Sequence, residues 1–200
     1  MASQRRRRRT IRLGPSLLLA LTAAGPLAAA PASLALDPGA TRIRFDVDST
    51  LHRIHGSARL ETGEISFDSA GGPASGRIVI DARSLETGNG LRDGALHEDV
   101  LESERFPRMT FVPERVEVLR IEGREADVRI LGRIDIHGSQ HELAIPGRVS
   151  VDGERLTLTA RFPVPYVAWG MQDPGNFLLS VDDVVNVEVE AVGRVSPPLP

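Results

Sequence analysis

From Thr41 almost to its C-terminus, the chain alternates apolar and polar residues with a period of two. Ile43, Phe45 and Val47 fall on one face, and Arg42, Arg44, Asp46 and Asp48 on the other. The pattern recurs in Ile78, Ile80 and Ala82, in the run from Val128 to Ile136, in Leu156 to Phe162, and in Val185 to Ala191. Such alternation is the mark of half-buried strands. Turn formers punctuate the runs at Gly71-Gly72-Pro73, Glu122-Gly123, His137-Gly138 and Asp152-Gly153. Because one face of each strand is polar, the sheet is expected to be antiparallel rather than parallel and covered by helices. Eight or more such strands must close into a barrel or stack as a sandwich.

One segment departs from the pattern. Between Arg92 and Ser103, Leu96, Val100 and Leu101 recur at helical spacing, and Asp93 is expected to cap the helix. Pro107 follows, and Met109 to Val112 resumes as strand. No linker, low-complexity stretch or internal repeat divides residues 41–195, so they form one domain.

A barrel of about eight strands either fills its interior with side chains or holds one small ligand. Several inward positions are small (Ala82, Gly132, Ala160 and Ala191), and the chain has only eight aromatic residues. Those linings leave room, yet a plainly packed core satisfies the same pattern. If the barrel is hollow, the inward parity assigns Phe45, Ile80, Phe111, Ile134, Ala160, Phe162 and Val187 to the wall of its cavity.

The first 35 residues are of another kind. Arg5 to Arg9 are followed by an apolar stretch from Leu13 to Ala30, then by small residues through Ala35. This is the layout of a secretory signal peptide, and the spacing of Ser33 and Ala35 places the expected cleavage after Ala35. The apolar run is broken by Pro15, Gly25 and Pro26 and is shorter than the ~20 residues a spanning helix needs, so stable membrane insertion is not expected. The reading is therefore a leader over 1–35, a domain over 36–195 and a loose tail over 196–200, in a periplasmic or extracellular protein. The tandem arginines suit either general or twin-arginine export.

Without its six leader arginines the chain carries eighteen basic residues against 27 acidic ones. That balance argues against a nucleic-acid partner. Lysine and cysteine are absent, which removes Schiff-base and P-loop lysine chemistry, disulfides, thiol catalysis and thiolate metal sites.

Candidate chemistry is sparse. His52 and His55 stand three apart on an expected strand and point to opposite faces. His137 and His141 flank a hairpin turn with Glu142 beside them, which could offer an imidazole site to zinc or copper, although no third ligand stands near in sequence. The nucleophile-elbow, zincin, dinucleotide and phosphate-loop motifs are all missing. The acids lie mostly on wet strand faces, where charge keeps sheets soluble.

The stretch from Asp81 to Asp93, D-A-R-S-L-E-T-G-N-G-L-R-D, continues through Leu96 to Phe111 with a short helix and Phe106-Pro107. With the Gly132–Gly138 strand and turn and the closing Val184–Gly193 strand, it resembles the YceI-like family. The likeness runs over about residues 41–195. It departs at Asp48 to His52, where the family has a His-Ser strand motif, and at Pro165 to Pro174, a subgroup feature. The resemblance implies an all-β, lipocalin-like antiparallel barrel whose elongated apolar cavity holds a polyisoprenoid, a quinone-like molecule or another long-chain lipid. It implies no catalytic residue and no cofactor, and a monomer or a homodimer would fit it. The Thr87–Asp93 block has a structural reading of its own: Gly88 and Gly90 turn the chain, Asn89 bonds the backbone, and Arg92 with Asp93 pins the helix start. The lone Trp169 is expected to pack in the core. Two rivals stand beside the lipid carrier: a metal-binding protein or metal-dependent enzyme using His137 and His141, and a structural or stress-related secreted protein with a filled barrel.

Overall fold

The computed structural model describes residues 31–175 and 180–199. Nine antiparallel strands follow in order: β1 (Ala32–Leu36), β2 (Arg42–Val47), β3 (Ile54–Phe67), β4 (Gly72–Glu86), β5 (Arg108–Glu122), β6 (Glu125–Ile136), β7 (Ser139–Asp152), β8 (Arg155–Val164) and β9 (Val185–Ser196). From β2 to β9 each strand pairs with the next, and β9 pairs back with β2, so the meander closes on itself. β1 also lies between β3 and β9, further along the same position as β2. The result is a closed barrel with eight strand positions, one of them shared by β1 and β2 across a turn at Asp37–Thr41.

The register carries the inward parity around the barrel. One row runs Ile43, Val189, Ala160, Gly147, Val128, Val118, each directly opposite the next. Outward positions carry cross-strand ion pairs such as Arg161–Glu188 at 3.2 Å and Arg108–Glu61 at 2.7 Å. These exposed pairs add little stability and mainly keep the outer face wet. Two-residue turns join β5 to β6, β6 to β7 and β7 to β8. At the second of these, His137 and Gly138 both have positive φ (53° and 74°), the twist that suits tight hairpins.

Between β4 and β5 lies α1 (Gly90–Ala95), which widens into a π-helical turn over Leu96–Val100. Its N-cap is Asn89, whose side chain accepts from the Arg92 N–H at 3.2 Å, rather than the expected Asp93. Asp93 instead accepts from the Thr87 N–H at 2.8 Å and the Thr87 hydroxyl at 2.5 Å. Arg92 donates to the same hydroxyl at 2.7 Å and to the Thr87 carbonyl at 3.1 Å. The Thr87–Asp93 block thus ties the end of β4 to the start of α1.

At both ends of the expected domain the neighbouring residues are part of the barrel's packing. Ala32 and Leu34 are 1% and 7% exposed, and Ser33, Leu34 and Ala35 pair with β3 on one side and β9 on the other. A cut after Ala35 would remove all of β1 but Leu36, so an intact barrel requires the chain from Ala32 onward. At the other end, Ser196 pairs with Ser33, and Leu199 packs near Leu34, Ile65 and Leu156 instead of hanging loose. The remainder of the expected leader, residues 1–30, lies outside the described residues. No helix among the described residues is long and apolar enough to cross a membrane.

Candidate ligand-binding cavity

The inward side chains do not meet across the barrel. They enclose a cavity of about 880 Å³. Its wall is nearly all aliphatic, with Ile65 from β3, Ile78 from β4, Val116 from β5, Ile130 from β6, Leu143 from β7, Leu156 from β8 and Ala191 from β9. It opens among the β3–β4, β5–β6 and β7–β8 turns, where Asp68, Ser69, Arg124 and Glu125 are the main polar groups. Arg124 is paired there with Asp152 at 2.9 Å.

The opposite end is plugged. Val100 and Leu101 from the end of the π-helical turn, with Tyr166 and Met171 from the β8–β9 connection, pack onto Phe111, Ile134, Leu143 and Phe162. Trp169 joins this plug, as expected of a lone tryptophan, with its ring stacked on that of His141 at 4.5 Å and 4°. Burial, helped by the fields of Asp173, Asp183 and Asp182, pushes the Tyr166 hydroxyl up to about 12, so it stays a neutral donor.

Of the seven side chains expected on the wall, Ile80, Phe111, Ile134, Ala160 and Phe162 line the cavity. Phe45 and Val187 do not. They form a cross-strand pair one step nearer the plug than Ile43 and Val189, which do line it. The Phe45 ring lies over Gly56, its partner on β3: a Cβ on Gly56 would sit 2.1 Å from Cζ of Phe45. Glycine leaves a hole in the sheet and the phenyl covers it, which takes the ring out of the cavity. Val187, flanked by Phe45 and Phe162, packs against the plug.

Sequence reasoning missed Leu34 and Leu199, because it assigned them to the leader and the tail, and Leu36, which stands before the first alternating run at Thr41. It also missed β7, although Leu143, Ile145, Val149 and Val151 share one parity and all line the cavity. That signal was legible, interrupted only by Gly147.

His137 and His141, the pair that could offer an imidazole site, have separate partners. His137 Nε2 lies 2.9 Å from Glu102 Oε1 and packs against Phe106, at a ring separation of 4.8 Å. His141 faces inward against Trp169, while Glu142 is exposed on the outer face opposite Arg133. Alternation along β7 separates Glu142 from His141, since neighbours on a strand point to opposite faces. Among the described residues, no group of three or more His, Asp or Glu side chains could hold a metal ion.

Comparison with known proteins agrees with this architecture. The solved structure of BcnA from Burkholderia cenocepacia superposes with a TM-score of 0.62 at 18% identity, covering 78% of this chain and 98% of that one. A polyisoprenoid-binding domain from Saccharophagus degradans, implicated in plant cell wall breakdown, gives 0.63 at 16% identity, covering 80% and 97%. The YceI protein of Campylobacter jejuni gives 0.53 at 18% identity, covering 70% and 80%. Among curated proteins, none matches the chain significantly. At these identities the structures speak for the fold. The sequence model of the YceI-like domain matches residues 34–193, beginning inside β1 and ending near the end of β9, and the chain belongs to the YceI-like domain family.

Proposed function

We propose that the protein is a carrier that holds one long-chain apolar molecule, a polyisoprenoid, a quinone-like molecule or another lipid, inside its barrel. The observation that carries this reading is the cavity. Its volume of about 880 Å³ lies within the range of small-molecule sites, and its wall offers a chain little but aliphatic contact. Each Å² of apolar surface taken from water there is worth ~25 cal/mol before the cost of ordering the chain. A solved relative in fold is described as a polyisoprenoid-binding domain, which favours the same class of ligand. The chain works outside the cytoplasm, because Arg5 to Arg9 and the apolar run that follows have the order of an export leader. Its cleavage falls before Ala32, leaving β1 whole. We read the protein as a binder rather than an enzyme, because the cavity wall is almost wholly aliphatic and its charged groups, Asp68, Arg124 and Glu125, stand at the mouth.

Native mass spectrometry of protein purified from its own host tests this. The expected spectrum shows the leaderless chain plus the mass of one lipid, released on denaturation and identified by fragmentation. Protein that arrives without a lipid, and takes up no prenyl or acyl chain when offered one, would sink the carrier reading in favour of a structural barrel.

A further inference from the structure

If the cavity holds a long chain, as proposed above, that chain must pass the mouth, and part of the mouth is covered. β9 reaches the rim at Ser196, whose carbonyl accepts from the Ser33 hydroxyl at 3.1 Å. Pro197 and Pro198 follow. Neither has an N–H to give to a neighbouring strand, so the ladder ends there and the chain leaves the sheet. It turns inward. Both prolines are exposed, whereas Leu199 is half-buried, lines the cavity and packs against the cluster of Leu34, Ile65 and Leu156. Those three also line the cavity, from β1, β3 and β8, and all stand at its mouth end: Ile65 comes just before the Asp68 turn and Leu156 just after the Gly153 turn. A side chain packed on their inner faces is inside the rim. Val195 fits the same picture. It shares the inward parity of Val189 and Ala191 and is the last such residue before the rim, yet it is 0% exposed. Among the described residues no hydrogen bond holds Pro197, Pro198 or Leu199, so the apolar contact of Leu199 is what keeps the segment in place.

We infer that Pro197–Leu199 is a strap across the mouth with Leu199 as its latch: an entering chain lifts Leu199 off Leu34, Ile65 and Leu156, and the strap falls back behind it. The latch is an internal competitor. Leu199 and the ligand seek the same apolar surface, so each part of the ligand that reaches those three side chains replaces a contact that Leu199 gives up. Opening breaks no hydrogen bond and wets one leucine, so the strap slows passage without sealing the barrel. The two prolines, with φ fixed by their rings, hold the open strap close to its closed shape and keep the entropy cost of closing low.

A latch governs how fast a ligand enters, and the test reads that rate. The exported protein, stripped of lipid, is mixed by stopped flow with a dansyl-labelled fatty acid that is monomeric in solution, and the rise in dansyl emission gives the association rate. Leu199→Ala removes the latch and is expected to raise that rate about tenfold over the parent. Leu199→Phe covers more of the cluster and is expected to lower it about threefold. Release into excess unlabelled oleic acid should change in the same order. A residue that is only part of the wall behaves otherwise, since its loss speeds release and leaves association alone. Equal association rates in the three proteins, or slower association by Leu199→Ala, would overturn the strap, while binding by the parent keeps the carrier reading standing. Thermal melts guard the comparison: should the Ala variant be unfolded, the rate of the Phe variant against the parent decides. A parent that does not bind the probe at all would remove both readings.

Discussion

At Ala160 the difference between a carrier and a filled barrel comes down to one side chain. Ala160 is 7% exposed and stands on the cavity wall between Val189 and Gly147. A Trp there projects into space the ligand would use. Ala160→Trp is therefore expected to abolish lipid uptake while the melting temperature of the lipid-free protein stays nearly unchanged. In a filled interior the same residue would overpack the core and cost ~1–3 kcal/mol, seen as a clear fall in that melting temperature. Small residues were readable as small, but what each smallness does was not. Ala160 and Ala191 open the cavity, whereas Gly132 serves backbone approach: a Cβ there would lie 2.3 Å from the Val112 carbonyl oxygen and 2.8 Å from the Phe111 ring. That distinction depends on which strand lies across, and alternation along one strand carries no information about the neighbour's register.

The strands were legible because burial on one face imposes a period of two. The helix was legible in place but not in its cap, since Asn89 and Asp93 are both good caps and only tertiary contacts assign Asp93 to Thr87. That assignment has a consequence in acid. The Thr87 hydrogen bonds, then the nearby Arg92, hold the Asp93 carboxyl below its usual 3.8. A depressed carboxylate contributes stability that is fully present above its unfolded pKa and is lost as pH falls through its folded one. Asp93→Asn is accordingly expected to melt lower than the parent at neutral pH. The gap should hold constant down to about pH 5 and close progressively below about pH 4. Thermal melts of the two proteins across that range check it, and a gap that persists undiminished into strong acid would remove the carboxylate from the account. The same connection is anchored at its far end by Glu102, which has a positive φ of 44° and reaches His137 across to the β6–β7 turn.

For the whole molecule, alternation left barrel and sandwich open and the resemblance named the closed antiparallel barrel, while its edge is hard to read because the small residues that suit a cleavage site also suit a short strand. Ser33 and Ala35 look like processing signals, yet the residues between and beside them, Ala32 and Leu34, are both buried. Chains beginning at Pro31 and at Leu36 should therefore behave differently. The first is expected to fold cooperatively and take up lipid. The second exposes the edges of β3 and β9 that β1 covers and opens the wall at Leu34, and should lose several degrees in melting temperature together with lipid retention. Equal melting and equal uptake by the two chains would show β1 to be dispensable. The meander has one more consequence, in time rather than space. Apart from the short β1–β3 pairing, every strand contact but one set joins sequence neighbours and can form early. The exception is the seam where β1 and β2, made first, meet β9, made last. Closing it joins the two ends of the domain, the slowest kind of contact for a chain to find, so the barrel stays an open, half-wound sheet until its final strand has emerged.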